Sequence, residues 1–581
     1  MTPQGAARPY GPPWAAISER IPSLIKDAPI MLCGLALFYA LFSLTRYWAG
    51  PVNPQPVIRM DAAALPQYAF YSMARILLAY LLSLFVAVAY GYTAAHHTTA
   101  ERIMIPLLDT LQSIPVLSFL PPVMVAMVSL FPANQIGLEL GAILLIFTGQ
   151  VWNMAFSVYS SLRNLPSDML EAARIYRLSR WQTFFQLELP HCAIGLIWNS
   201  MMSVAGGWFF LMACEMFVLG SRDLRLPGLG SYLQTAANAG NTAAILRGVF
   251  AMVAVVVLMD QLLWRPLIAW SEKFKLEQVE AAQAPRSPIL DWLRRSDLIE
   301  SLNRSAFAPV REKLMLRFAR KNRPAEDAPP SGLKTWLGRV LVLAALTGLA
   351  FAVVKMFSVV AELSWPGLRV ILLGAGATFL RVEATLVLAG IWTIPVGIVI
   401  GLRPRLSAIA QPLAQIAASV PATALFPIIL LALIRVGGGL GIGSIVLLLL
   451  GTQWYILFNV IAGATAIPSD LKEAAAVFRL GTRERWRTLF LPAIFPYLIT
   501  GFVTASGGAW NASIVAEYFR FHGKTYSITG LGAVISRATD DGNFPVLLCA
   551  TLVMAAMVVT MNRLVWRRLY TLASTRFKLE T

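Results

Sequence analysis

Apolar runs of roughly 20 residues, the length an α-helix needs to cross a ~30 Å hydrocarbon core, recur along the chain with short polar breaks between them. Six lie near 29–48, 73–95, 114–132, 137–161, 191–219 and 243–268, and six more near 335–361, 376–402, 413–434, 440–463, 491–517 and 543–568. Pro115, Pro121, Pro122, Pro395, Pro421 and Pro427 fall inside several runs, a placement that spans tolerate because neighbouring helices satisfy the freed backbone groups. The pattern predicts an all-α polytopic membrane protein of about 12 transmembrane helices.

The polar segments repeat. Adding 302 to a first-half position lands on its counterpart: Trp152 on Trp454, Pro166-Ser167-Asp168 on Pro468-Ser469-Asp470, and Glu171-Ala172-Ala173 on Glu473-Ala474-Ala475. The register continues through Leu189-Pro190 and Leu491-Pro492, Trp208 and Trp510, Glu215 and Glu517, Gly228 and Gly530, and Trp264-Arg265 and Trp566-Arg567. Six spans is an even number, so the halves share one orientation: a parallel duplication about an axis along the membrane normal, with a pathway between the halves.

Charge refines this picture. Only 13% of the 581 residues are charged, against about 25% in soluble domains, yet Lys and Arg outnumber Asp and Glu to give a net +18. The surplus gathers between apolar runs, which excludes a nucleic-acid groove binder and orients the spans instead. The basic loops at 162–190, 403–405 and 464–490 fall inside if the N-terminus does, which makes both termini cytoplasmic. The expected organisation is a cytoplasmic segment at 1–28, a first domain at 29–268 with its loop at 162–190, and a basic cytoplasmic linker at 269–334. A second domain at 335–568 follows, with its loop at 464–490, and then a cytoplasmic tail at 569–581. Within the linker, residues 289–302 have the pattern of a helix lying on the anionic leaflet, with a plain tether as the alternative. Four dispersed cysteines and four dispersed histidines give no metal-ligand spacing.

The best-matched repeats are the two loops, PSDMLEAARIYRLSRWQTFFQLELP at 166–190 and PSDLKEAAAVFRLGTRERWRTLFLP at 468–492. Ser167 and Ser469 are candidate N-caps, followed by first-turn acids that suit the positive end of the helix dipole. Leu189-Pro190 and Leu491-Pro492 are read as helix ends before the next span.

These loops resemble the permease subunits of ATP-binding-cassette importers, the binding-protein-dependent inner-membrane components, whose cytoplasmic loop runs Glu-Ala-Ala, three residues, Gly, nine residues, Ile-x-Leu-Pro. Both copies match at Glu171, Ala172, Ala173, Leu189 and Pro190, and at Glu473, Ala474, Ala475, Leu491 and Pro492. Both also depart from it: Arg177 and Arg479 replace the Gly, and Leu187 and Leu489 the Ile, leaving Gly481 as a candidate for the bend in the second copy. GGWFFLMACEMF with PGLGSYL, and GGAWNASIVAEYF with TGLGAVI, look like permeases of the nitrate, sulfonate and taurine branch. The resemblance implies a type I importer-like fold with two permease domains fused in one chain. It also implies coupling helices at both loops that dock two copies of a separate ATPase, a periplasmic or lipid-anchored substrate-binding protein, and a bacterial inner-membrane location. The substrate it implies is a small anion.

Glu215 and Glu517, each preceded by a Trp at 208 or 510, sit near the outer ends of equivalent spans, where a carboxylate is either functional or paired. A gate and a pairing role both remain open for them. Ser113 with Pro115 and Ser419 with Pro421 mark broken third spans whose polar backbone is a candidate pathway lining. Asp109, Asp260, Arg381 and Glu383 share no pattern and read as interfacial.

Gly523-Lys524-Thr525 lacks the earlier Gly of a P-loop, since Tyr518 stands there. ATP and Mg are therefore expected on the partner ATPase, with no cofactor or catalytic residue on this chain. The rival reading is a secondary transporter with 6+6 parallel repeats, driven by an ion gradient.

Overall fold

The structure is a computed structural model that describes residues 43–50, 57–113, 115–219, 222–274, 287–321, 332–435, 439–521 and 524–576, together with Ala28, Met31 and Leu32. Among these residues eight helices are long and apolar enough to cross a membrane: Ala62–His96, Ile136–Arg163, Arg180–Glu215, Thr242–Ser271, Trp365–Gly401, Leu440–Thr465, Thr482–Ala516 and Phe544–Ala573. They form two matching sets of four. Of the twelve expected spans, most of 29–48 lies outside the described residues, and 335–361 is the helix Gly332–Ala361.

The third span of each half is not one helix. It breaks into Thr98–Ser113 and Leu120–Leu130 in the first half, and into Pro404–Ser419 and Ala422–Arg435 in the second. Pro115 and Pro421 stand at the breaks, where the ring has no N–H for a continuous ladder and pushes the preceding residue out of the helical region. Ahead of these breaks the repeat spacing is 306 rather than 302, since the first half carries four more residues in the connection that follows.

The chain divides into two compact units. The larger comprises Pro51–Arg163, Trp198–Leu258 and Pro329–Thr581. In it Ala62–His96 crosses Ile136–Arg163, and Trp365–Gly401 crosses Leu440–Thr465, at a repeated close contact. A β-carbon on Gly91 would meet Val158, and one on Gly397 would meet Val460, both well inside normal separation. Small residues at such crossings let backbones approach, which is how helices associate where lipid removes the hydrophobic drive between them.

The smaller unit comprises Met1–Gly50, Asn164–Ile197 and Met259–Ala328. Its linker helices begin at serine caps, with the Leu290 and Ile299 N–H groups each donating to Ser287 and Ser296 Oγ at 3.3 Å. The second cap divides the expected surface helix at 289–302 into Pro288–Arg294 and Asp297–Leu302. Further on, Ala308–Lys321 packs against the loop helix of the same unit: Phe318 stacks on Trp181 and Phe185 with ring centroids 5.5 and 5.9 Å apart. The repeat mates of Trp181 and Phe185 are Arg483 and Arg487, so the second half carries cations where the first has this aromatic platform.

Candidate functional site

Both loops fold alike. A nine-residue helix, Ser167–Ile175 or Ser469–Val477, begins at the serine itself, so the cap position belongs to Pro166 or Pro468 rather than to Ser167 or Ser469. Proline there has the extended φ/ψ that a cap requires. Ala173 and Ala475 are buried, Ala172 and Ala474 half-buried, and Glu171 and Glu473 exposed. The surprise is apolar. Ile175 and Tyr176 are each 79% exposed, and their mates Val477 and Phe478 are 78% and 76% exposed. Comparing the two loops for apolar residues past the Ala pair would have found them.

Each loop helix closes in a Schellman motif. The Leu178 N–H donates to Ala173 O at 3.0 Å and the Arg177 N–H to Arg174 O at 3.0 Å, while Leu480 and Arg479 donate to Ala475 O and Ala476 O at 3.1 and 3.0 Å. That motif needs a left-handed residue, and Arg177 (φ 50°) and Arg479 (φ 48°) supply it. The bend that the family's Gly makes is therefore made by the arginines themselves. Gly481 instead caps the next helical turn at φ −65°. A non-glycine residue pays about 1–2 kcal/mol for this conformation. Arg177→Gly and Arg479→Gly are thus each expected to raise stability by about 1 kcal/mol, read as a higher thermal unfolding midpoint. The Arg→Ala variants keep the strain and should show no such rise.

Leu189-Pro190 and Leu491-Pro492 do not end a helix. Each pair follows a wide turn, Phe184–Glu188 or Trp486–Phe490, that carries the loop helix on into the span. The wide turn shifts the hydrogen-bond register where the proline has no donor.

At the other end of these spans, Glu215 and Glu517 lie in matching networks. Arg75 donates through Nε and Nη2 to both oxygens of Glu139 at 2.6 and 2.7 Å, and through Nη1 to Glu215 at 2.7 Å and Pro227 O at 2.9 Å. Glu215 also accepts from Ser72 Oγ at 2.6 Å and the Gly230 N–H at 2.7 Å. The side chains of Arg75, Glu139 and Glu215 are fully buried. In the second half Glu517 accepts from Arg381, from Thr378 Oγ1 at 2.7 Å and from the Gly532 N–H at 2.8 Å. The mate of Glu139 is Gly441, so Arg381 has one carboxylate where Arg75 has two. Pro-Gly-Leu-Gly at 227–230 is explained by this approach: a β-carbon on Gly228, or on Gly530, would overlap the carboxylate. Arg381 is thus a network member rather than an interfacial charge. Its mate Arg75 escaped the sequence reading because it stands 306 residues away, although a lone Arg inside an apolar span was the available signal.

Trp208 and Trp510 are fully buried. None of these four residues borders a cavity that opens between the halves in the larger unit. That cavity, 450 Å³ in volume, lies between Trp198–Phe210 of the first half and helices of the second, among them Trp454, Tyr455 and Asn511. Val420, Pro421 and Ala422 at the break of the third span also border it. The side chains of Ser113 and Ser419 lie outside the described residues.

Paired loops of this geometry on two matching sets of four long apolar helices define a duplicated α-helical membrane protein. The chain belongs to the binding-protein-dependent transport system inner membrane component family, matched at 79–263 and again at 393–578. That membership makes it a multi-pass transport subunit with its two permease domains fused. It is 30% identical over 189 residues to the bicarbonate transport system permease protein CmpB of Synechococcus elongatus, covering 32% of this chain and 65% of that one. It is 23% identical over 191 residues to the nitrate import permease protein NrtB of Leptolyngbya laminosa (33% and 63%). Against the glycine betaine transport system permease protein OpuAB of Bacillus subtilis it is 24% identical over 191 residues (33% and 62%). The chain thus spans just under two thirds of the length of these relatives.

Proposed function

We propose that this chain is the whole membrane-spanning part of an ATP-driven importer, with one pathway between its halves and one ATPase subunit docked on each loop. The observation that carries the reading is the exposed apolar pair beside an exposed glutamate, at Glu171, Ile175 and Tyr176 and again at Glu473, Val477 and Phe478. Two apolar side chains left this open in water at the same repeat position suit a partner surface. The strained Schellman cap beside each pair fixes its orientation. Arg177 and Arg479 then add a cation at the rim of each contact, and ATP and Mg bind on the partner.

The relatives named for bicarbonate and nitrate support a small oxyanion, delivered by a binding protein, as the substrate class. Both chain ends are assigned to the cytoplasm, the side on which the loops meet the ATPases. On this reading Ser113 and Ser419 flank the pathway at the third-span breaks. Glu215 and Glu517, with Trp208 and Trp510 packed beneath them, brace its outer end and do not touch the solute.

Reconstitution tests the whole proposal. Proteoliposomes holding the chain with its ATPase and binding protein should take up labelled bicarbonate or nitrate only when ATP is present. Uptake by the chain alone on a proton or sodium gradient would sink the reading in favour of a secondary transporter.

A further inference from the structure

The two halves are duplicates, yet the cavity between them is not shared equally. The first half contributes one helix face, Trp198 to Phe210, while the second contributes three helices and the Pro421 break. The repeat shows why. In the first half a β-carbon on Gly149 would collide with the ring of Phe210, so that ring fills the space beside the glycine. The mates are Gly451 and Ala512. Ala512 has no ring, and a β-carbon on Gly451 meets nothing within 4 Å. Two more differences follow the same line: Tyr455 borders the cavity and its mate Asn153 does not, and Asn511 presents an amide to it where its mate Phe209 presents a ring.

We infer that the solute-contacting site of this permease is built chiefly by the second half, with the first half adding only the Trp198 to Phe210 face, and that the first-half copy of that site has been closed by Phe210. The inference rests on the importer reading for the identity of the solute, but the asymmetry itself is a property of the packing. None of the residues bordering the cavity carries a formal charge. The site therefore meets a small oxyanion with hydrogen-bond donors, the Tyr455 hydroxyl, the Trp198 and Trp454 indole N–H groups and the amide of Gln411, against aromatic walls. An ion taken from water without a counter-ion pays several kcal/mol. The solute keeps part of its hydration shell here, for which 450 Å³ leaves room, since each water takes about 30 Å³. Such a site holds its solute weakly, which suits passage rather than capture.

Trp152 and Trp454 are identical residues at one repeat spacing, and only Trp454 borders the cavity. In the complete complex, Trp454→Leu and Ala512→Phe should each lower ATP-driven uptake of labelled bicarbonate or nitrate by about tenfold or more, and Trp152→Leu by less than about twofold. Membrane level and basal ATP hydrolysis of each complex show that it has folded and assembled. Equal losses in the two Trp variants, or undiminished uptake with Ala512→Phe, would overturn the assignment. If the wild-type complex moved neither anion, the importer reading would fall instead, and the cavity would be judged by thiol chemistry. A cysteine introduced by Gly451→Cys should react with a small methanethiosulfonate reagent, and bicarbonate or nitrate should slow that reaction at least about threefold. A rate unchanged by both anions would count against the site.

Discussion

Reversing the charge at both Glu171 and Glu473 is expected to abolish the stimulation of ATP hydrolysis by substrate and binding protein. Both carboxylates are exposed in the middle of the loop helices, and neither supports the fold from within. Each stands one turn from its exposed apolar pair, Ile175-Tyr176 or Val477-Phe478, where a docked partner would remove both from water. Truncating a central interface residue commonly costs 2 kcal/mol or more. Two reversals that place like charges against the partner should therefore reduce stimulated hydrolysis by about 30-fold or more. Membrane insertion and the thermal unfolding midpoint of the chain alone should not move. Single reversals separate the loops, and stimulation that survives the double change would remove the coupling role from both.

The second large effect is on stability. Arg75→Met leaves Glu139 and Glu215 buried without their cation, and breaking a buried pair from one side costs about 3–5 kcal/mol. Arg381→Met should cost less, because the Arg381 side chain is 14% exposed and pairs with one carboxylate. Replacing Glu139 as well, in Arg75→Met/Glu139→Met, removes one of the two stranded charges and should recover part of the loss. Thermal unfolding of the purified protein measures all three. An Arg75 variant no less stable than the Arg381 variant would show that the first network is not the firmer one.

Much of this molecule is legible in its sequence, and the limits have physical causes. The duplication, the loop pair and most long spans follow from apolar period and repeat spacing, since a membrane leaves helices few alternatives. The breaks of the third spans are legible too, because Pro115 and Pro421 stand inside apolar runs and a proline has no N–H for a continuous ladder. The left-handed Arg177 and Arg479 were hidden because glycine is the usual signal for positive φ, so the bend was sought at Gly481. Leu189-Pro190 and Leu491-Pro492 were read as helix ends because a proline normally stops a ladder, whereas a wide turn lets the helix run on. The cavity depends on which of two duplicated positions carries a ring, Phe210 or Ala512. A residue-by-residue comparison of the halves could have shown that difference, but not that it opens a space.

The stacking of Phe318 on Trp181 and Phe185 has a consequence for stoichiometry. On the proposed reading, two copies of one ATPase subunit related by a twofold axis would present two identical grooves. This chain answers with one loop flanked by a linker helix and another flanked by Arg483 and Arg487. On the proposed reading the two grooves meet different neighbours, so the first and second ATPase subunits to arrive are distinguishable by position even when they are copies of one polypeptide. Fusing the halves would then fix that difference in every assembled transporter, because one chain carries one first loop and one second loop.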